Sequence, residues 1–176
     1  MTRPRRLASR IVFRGRVFHV ERDRVRLPNG RDVIQDVVRH RRSVVLVPQP
    51  TSREVILIRQ YRHAVGAWIW ELPAGSLDPR ESPAHAARRE CEEEIGFTPR
   101  RLRRLAACYP TPGFCDELMI FYRCTDLVRP NGPIARDPDE IIVPRVFTLA
   151  DARRFVARQS VQDMKTVVGL GLVGNW

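Results

Sequence analysis

Residues 75–97 read GSLDPRESPAHAARRECEEEIGF, and the organisation of the chain follows from this stretch. Ser82 is a good side-chain N-cap, Pro83 suits a first helical turn, and Gly96 can take the left-handed conformation that ends a helix. The residues between them are strong helix formers, so a helix of about three turns is expected. On that helix Glu90, Glu93 and Glu94 stand at i, i+3 and i+4 and share one face within about 6 Å of axial rise. Like charges so close are destabilising unless something positive sits among them. A divalent Mg²⁺ or Mn²⁺ is the natural neutraliser, being a hard cation that prefers carboxylate oxygens. Arg88 and Arg89 are the intrahelical alternative. Taken alone, a run such as ECEEE is the ordinary mark of a solvated helix face. The context of Gly75, Glu81, Arg89 and Gly96 at fixed spacings sets this one apart.

Upstream of this helix the chain reads as strands. Residues 11–28 (IVFRGRVFHVERDRVRLP) alternate apolar and charged side chains, Pro28-Asn29-Gly30 is a hairpin signal, and RDVIQDVVRH returns as its partner. SVVLVP and EVILIRQY carry the continuous apolar runs of buried strands. A loop punctuated by Gly and Pro runs from Leu72 to Pro83. Downstream, strands are expected at RLAACY, ELMIFYRC and IIVPRVF, with a polar loop over residues 129–140 and helices near 149–158 and 163–172. The pattern is α+β with a mixed sheet: a strand-rich N-terminal section over residues 1–42, then one compact domain over residues 43–176.

Composition excludes several classes. A chain of 176 residues with 43% apolar and 29% charged side chains can bury a real core and is not a disordered polymer. The net charge of +11 admits nucleic acid, an anionic surface or an anionic small substrate as partner. Lys165 is the only lysine, however, and so uniform an arginine bias also reads as codon preference. A nucleic-acid partner would need a basic stripe interleaved with exposed aromatics, which the sequence does not supply. Cys91, Cys108, Cys115 and Cys124 show neither CxxC nor zinc-ligand spacing, so neither a zinc site nor a disulfide framework is expected. No apolar run approaches the roughly 18 residues of a membrane span. The expectation is a reduced, cytoplasmic protein with Arg3, Arg5 and Arg6 in a frayed tail.

The 75–97 stretch resembles the signature of the Nudix hydrolases, G-x5-E-x7-R-E-U-x-E-E-x-G-U, in which U is bulky and apolar. Gly75, Glu81, Arg89, Glu90, Glu93, Glu94 and Gly96 all fall at the specified places, Phe97 fits the last U, and Cys91 departs mildly at the first. Seven such residues coincide by chance on the order of 10⁻⁸ times per starting position, which outweighs the reading as a solvated face. The resemblance implies a Nudix-type mixed β-sheet sandwiched by helices. It implies hydrolysis of a pyrophosphate linked to a nucleoside diphosphate, with Mg²⁺ or Mn²⁺ as cofactor. Carried onto this chain, it makes Glu90 and Glu94 metal ligands and Glu93 a ligand or a helper to the attacking water. The carbonyl of Ala74 joins the coordination. Gly75, Glu81, Arg89 and Gly96 are structural.

The flanks are similar to the ADP-ribose pyrophosphatase branch: Gln60-Tyr61-Arg62, the ELPAG run at 71–75, TPGFCDE at 111–117 and SVQDMKTVVGL near the C-terminus. The resemblance covers the chain from about Arg10 onward. It implies Arg62 as a phosphate-binding arginine, with Pro112 and Gly113 in the substrate loop. Glu117 is placed near the terminal ribose and the water. Glu140, within Asp137-Pro138-Asp139-Glu140, is the expected general base, with Glu93 and Glu117 as rivals. Trp68, Trp70, Phe18 and Phe114 could stack on a purine, although aromatics on strands are more often core. The implied partner is a nucleoside diphosphate sugar, ADP-ribose first, with GDP-mannose or another nucleotide sugar as the alternative and an RNA 5′-end pyrophosphohydrolase behind them. A homodimer, in which the N-terminal strands meet the partner, is implied by resemblance alone. A non-catalytic ADP-ribose sensor is disfavoured because it has no need of every carboxylate in the motif.

Overall fold

The computed structural model describes residues 2–134, 141–159 and 162–174. Its contacts divide the chain into two units, Met1–Arg42 with Tyr109–Leu118, and Ser43–Cys108 with Met119–Trp176.

The first unit is an antiparallel sheet in the order β1 (Arg5–Arg14), β2 (Phe18–Arg26) and β3 (Asp32–His40). The expected turn at Gly30 joins β2 to β3. Its φ of 84° is where a glycine is needed, and Leu27 N donates to Arg31 O at 2.8 Å. Across the ladder Arg22 and Arg26 bind Asp36 and Asp32 through paired hydrogen bonds, so charge fixes the register as well as backbone does. The alternation read through residues 11–28 is in fact broken by a turn, with Gly15 N donating to Phe18 O at 2.9 Å. Only Gly15 signals it, and period-two patterning continues on both sides. Arg5 and Arg6 do not fray: they pair with Arg26 and Val25 in β1, because ladder hydrogen bonds do not depend on side-chain charge. The loop 109–118 belongs to this unit. Val38 N donates to Phe114 O at 2.8 Å, Asp116 N to Val38 O at 3.2 Å, and His40 N to the Asp116 carboxylate at 2.9 Å.

The second unit holds the remaining elements: β4 (Ser43–Pro48), β5 (Glu54–Arg62), β6 (Ala67–Glu71), β7 (Ala74–Ser76), α1 (Pro83–Ile95), β8 (Thr98–Cys108), β9 (Met119–Val128), β10 (Ile142–Thr148), α2 (Leu149–Ala157) and α3 (Met164–Leu172). The mixed sheet is four-stranded, β7-β4-β9-β8, with β4 parallel to β9; an antiparallel sheet β10-β5-β6 accompanies it. Every residue of β4 is buried, as its unbroken apolar run requires. Val45, Val47, Val55, Leu57, Leu72 and Phe121 form one cluster with Ala152, Val156 and Leu170 of the last two helices. Full burial of each large side chain contributes about 1.5–3 kcal/mol, and this cluster is where that gain concentrates. The 72–83 loop is interrupted by β7, three residues long, a strand too short for periodicity to show.

The α1 helix begins and ends where its capping residues dictate. Ser82 Oγ accepts from His85 N, Pro83 opens the first turn, and Gly96 at φ 75° returns its N–H to Cys91 O and Glu92 O. Cys91, the departure from the motif, is fully buried and acts as a small apolar side chain. Contact with Cys124 and burial both push its thiol pKa up. All four cysteines are free thiols. Trp70 packs edge-on against Phe147 and Phe155, as core aromatics do, whereas Trp68, Phe18 and Phe114 are exposed. No helix among the described residues is long and apolar enough to cross a membrane.

Candidate active site

Helix α1 turns Glu90 and Glu94 inward, 8% and 5% exposed, and leaves Glu93 at the rim. Two buried carboxylates on one helix face need compensation, since an unpaired buried charge is prohibitive. Arg89 supplies part of it. Its Nη1 donates to Glu90 at 2.8 Å and to Glu93 at 2.9 Å. The other edge of the guanidinium grips Glu81 through Nε at 3.0 Å and Nη2 at 2.9 Å, and Nη2 also reaches Ser76 O at 3.1 Å. The loop before the helix is thereby fastened to the helix. Held chiefly by Arg89, and further by the Asp78 amide and His85, the Glu81 carboxyl is lowered to about 2 despite its partial burial.

The opposite wall is β7. Ala74 N donates to Glu94 at 3.0 Å, and a Cβ built on Gly75 would lie 2.0 Å from the carboxylate carbon of Glu90. Gly75 is therefore glycine because a carboxylate fills the space a side chain would need. Among the described residues no three His, Cys, Asp or Glu side chains converge as a metal cluster, with Arg89 and the Ala74 amide engaging the carboxylates. The donor chemistry nevertheless fits a hard divalent cation: two buried carboxylates one turn apart, against a backbone segment cut back to admit them. Glu90, Glu94 and the carbonyl of Ala74 are the groups that would hold it.

The other expected site residues are more dispersed. Arg62, at the end of β5, directs Nε at the buried carboxylate of Glu71 at 2.7 Å. Pro112 and Gly113 are exposed in the first unit, in the loop zipped to β3. Glu117, also in that unit, has His40 Nδ1 at 3.7 Å. Glu140 lies outside the described residues. Sequence reading passed over Glu71, Lys165 and Thr166, all buried, which tie β6 to α3 beside the Ala74 segment. The signal available was Lys165 itself, the one lysine in an arginine-rich chain.

A family model described as NUDIX domain matches residues 39–167, and one described as nucleoside diphosphate sugar hydrolase N-terminal domain matches residues 5–34. The chain belongs to the Nudix hydrolase family. It is 32% identical over 164 residues to an ADP-ribose pyrophosphatase of Bacillus subtilis (strain 168), covering 93% of this chain and 89% of that protein. A GDP-mannose pyrophosphatase of Citrobacter koseri is 30% identical over 151 residues, covering 76% of this chain and 77% of that protein. Among solved structures, the crystal structure of an ADP compounds hydrolase superposes with a TM-score of 0.86 at 27% identity, covering 98% of this chain and 93% of that one.

Two outcomes follow from this geometry. Gly75→Ala must displace the Glu90 carboxylate, so turnover should fall on the order of 10²-fold with the circular dichroism spectrum unchanged. Wild-type turnover in that variant would show that Glu90 is not confined. The folded pKa of Glu81 lies below its ordinary 4.5, so its stabilisation is present above that value and is lost as pH falls toward about 2. Denaturant midpoints measured down this range should therefore drop more steeply for wild type than for Glu81→Gln; equal slopes would refute the coupling.

Proposed function

We propose that the chain hydrolyses ADP-ribose to AMP and ribose 5-phosphate, as a cytoplasmic homodimer using Mg²⁺ or Mn²⁺. The observation that carries the reading is the pair of buried carboxylates, Glu90 and Glu94, facing a wall from which Gly75 removes every side-chain atom. The likeness to an ADP-ribose pyrophosphatase over 93% of the chain supports the substrate, against 76% for the GDP-mannose enzyme.

When bound, a divalent cation neutralises pyrophosphate charge and lowers the pKa of an attacking water. The chain's own groups do the rest. Water oxygen bonds to one phosphorus, the bridging P–O bond breaks, and the proton released from water passes to a carboxylate. Glu140 is the proposed base, with Glu93 and Glu117 as its rivals. Arg62 binds phosphate oxygens, with Glu71 holding its Nε edge. Pro112 and Gly113 are the further substrate-binding residues of this reading. For the homodimer, the support is the apolar side chains left exposed on the first unit. Phe13 is 52% exposed, Val17 52% and Ile34 60%, on a sheet in which β1 buries almost nothing. Three strands that bury so little are marginal on their own.

Glu94→Gln keeps the shape and removes a hard anionic ligand, so kcat should fall on the order of 10²-fold with the fold intact. Near-normal turnover at saturating Mg²⁺ would sink the metal assignment. In a panel of ADP-ribose, GDP-mannose, NADH and capped RNA, read by product chromatography, ADP-ribose should give the highest kcat/KM. A lead for GDP-mannose would move the substrate and leave the chemistry of α1 standing.

A further inference from the structure

Of this chain's 31 lysine and arginine side chains, 30 are arginine and one is lysine, and among the described residues that lysine is the buried cation. Lys165 lies one residue into α3, 8% exposed, and its Nζ bonds to the Glu71 carboxylate and, at 3.1 Å, to Asp163. Glu71, 1% exposed, takes Arg62 on its other oxygen at 2.7 Å. Charges thus alternate from strand β5 to the start of α3: Arg62, Glu71, Lys165, Asp163. A second path runs alongside. Asp163 caps α3 by accepting from Thr166 N at 3.0 Å and from Thr166 Oγ1 at 2.6 Å, and that same hydroxyl accepts from Leu72 N at 2.7 Å. Glu71 and Leu72 are neighbours, as are Lys165 and Thr166, so the two paths close into a ring.

What the ring holds is the segment in front of the carboxylate face. Leu72 is fully buried, and a Cβ on Gly169 would sit 2.2 Å from its Cδ1, so α3 is pressed against it. Pro73 O accepts from Leu46 N at 2.8 Å, and Ala74 N donates to Glu94 at 3.0 Å. From Glu71 to Ala74 every residue is thus anchored, the first two of them to α3.

We infer that Lys165 is a positioning residue: through Glu71 it sets both the backbone of residues 72–74 opposite Glu90 and Glu94 and the aim of Arg62. The inference rests on the proposed metal role of that face. An ammonium suits the place because it is compact and can turn its donors to two carboxylates, one on β6 and one at the start of α3. A guanidinium is planar, longer and fixed in its fork, and at a position 8% exposed its extra bulk must be taken up by close-packed neighbours. Partners that orient metal ligands typically affect metal affinity or turnover 10–100-fold when altered, even though they touch neither metal nor substrate.

The test compares Lys165→Met, Lys165→Arg, Glu94→Gln and Val156→Ala, the last a core truncation that removes none of the ring's hydrogen bonds and reports what lost stability alone does. Mn²⁺ binding is followed by electron paramagnetic resonance of the free ion, without substrate, at a temperature where each variant is folded by circular dichroism. Lys165→Met should bind Mn²⁺ about tenfold or more weakly, lower kcat and raise the KM for ADP-ribose, since Glu71 no longer holds Arg62 in place. Lys165→Arg should follow the methionine variant and not wild type. Should the methionine variant not fold, the arginine variant, which keeps the charge, decides the matter alone. Mn²⁺ affinity within twofold of wild type in the folded Lys165 variants, with only the thermal loss seen for Val156→Ala, would overturn the proposal. So would full rescue by arginine. If Glu94→Gln also binds Mn²⁺ normally, the metal reading itself fails; if it alone loses the ion, only the positioning role falls.

Discussion

A single guanidinium makes the acidic helix face possible. Arg89 gives hydrogen bonds to Glu81, Glu90, Glu93 and the Ser76 carbonyl, and these come from a loop, a strand and its own helix. A lysine could not do this, because only the planar fork presents donors in two directions at once. Its interactions with Glu81 and the other two carboxylates also raise the pKa of Arg89, so its charge is permanent at any working pH. The carboxylates are therefore placed before any cation arrives. A cation held by Glu90, as proposed, would share that carboxylate with Arg89, because residues 89 and 90 are adjacent and bonded.

The two units are stabilised by different means. In the first, Arg22–Asp36, Arg26–Asp32 and Arg39–Glu21 cross between β2 and β3, while Val25 and Asp23 are its only buried residues among those described. Exposed ion pairs contribute little each, about 0–1 kcal/mol, so this sheet depends chiefly on its backbone pairing. The second unit buries β4 entirely and most of β5. Packing of that density transmits displacement, which is why a helix near the C-terminus can bear on a site built from residues 74–94.

Much of this was legible in advance, and the helix at 83–95 shows why. Its limits depend on Ser82, Pro83 and Gly96, local signals whose effect does not wait for a partner. The spacing of Glu90, Glu93 and Glu94 carried the chemistry for the same reason: helical geometry converts sequence separation directly into a shared face. β7 and the turn at Gly15 were not legible, because three residues carry no period and a lone glycine is weak punctuation. Arg5 and Arg6 pair in β1 against expectation, since side-chain charge says nothing about a ladder formed by backbone.

What the sequence by itself determined is therefore the fold class, the acidic helix with its caps, and the family. Each rests on local signals, such as caps, periodicities and motif spacing, in which covalent separation fixes distance. Only the tertiary structure decided that Gly75 faces Glu90, that Ala74 meets Glu94, and that Lys165 reaches Glu71 from 94 positions away. Those meetings depend on how helices pack on sheets, and no local periodicity records which buried carboxylate a distant lysine will neutralise.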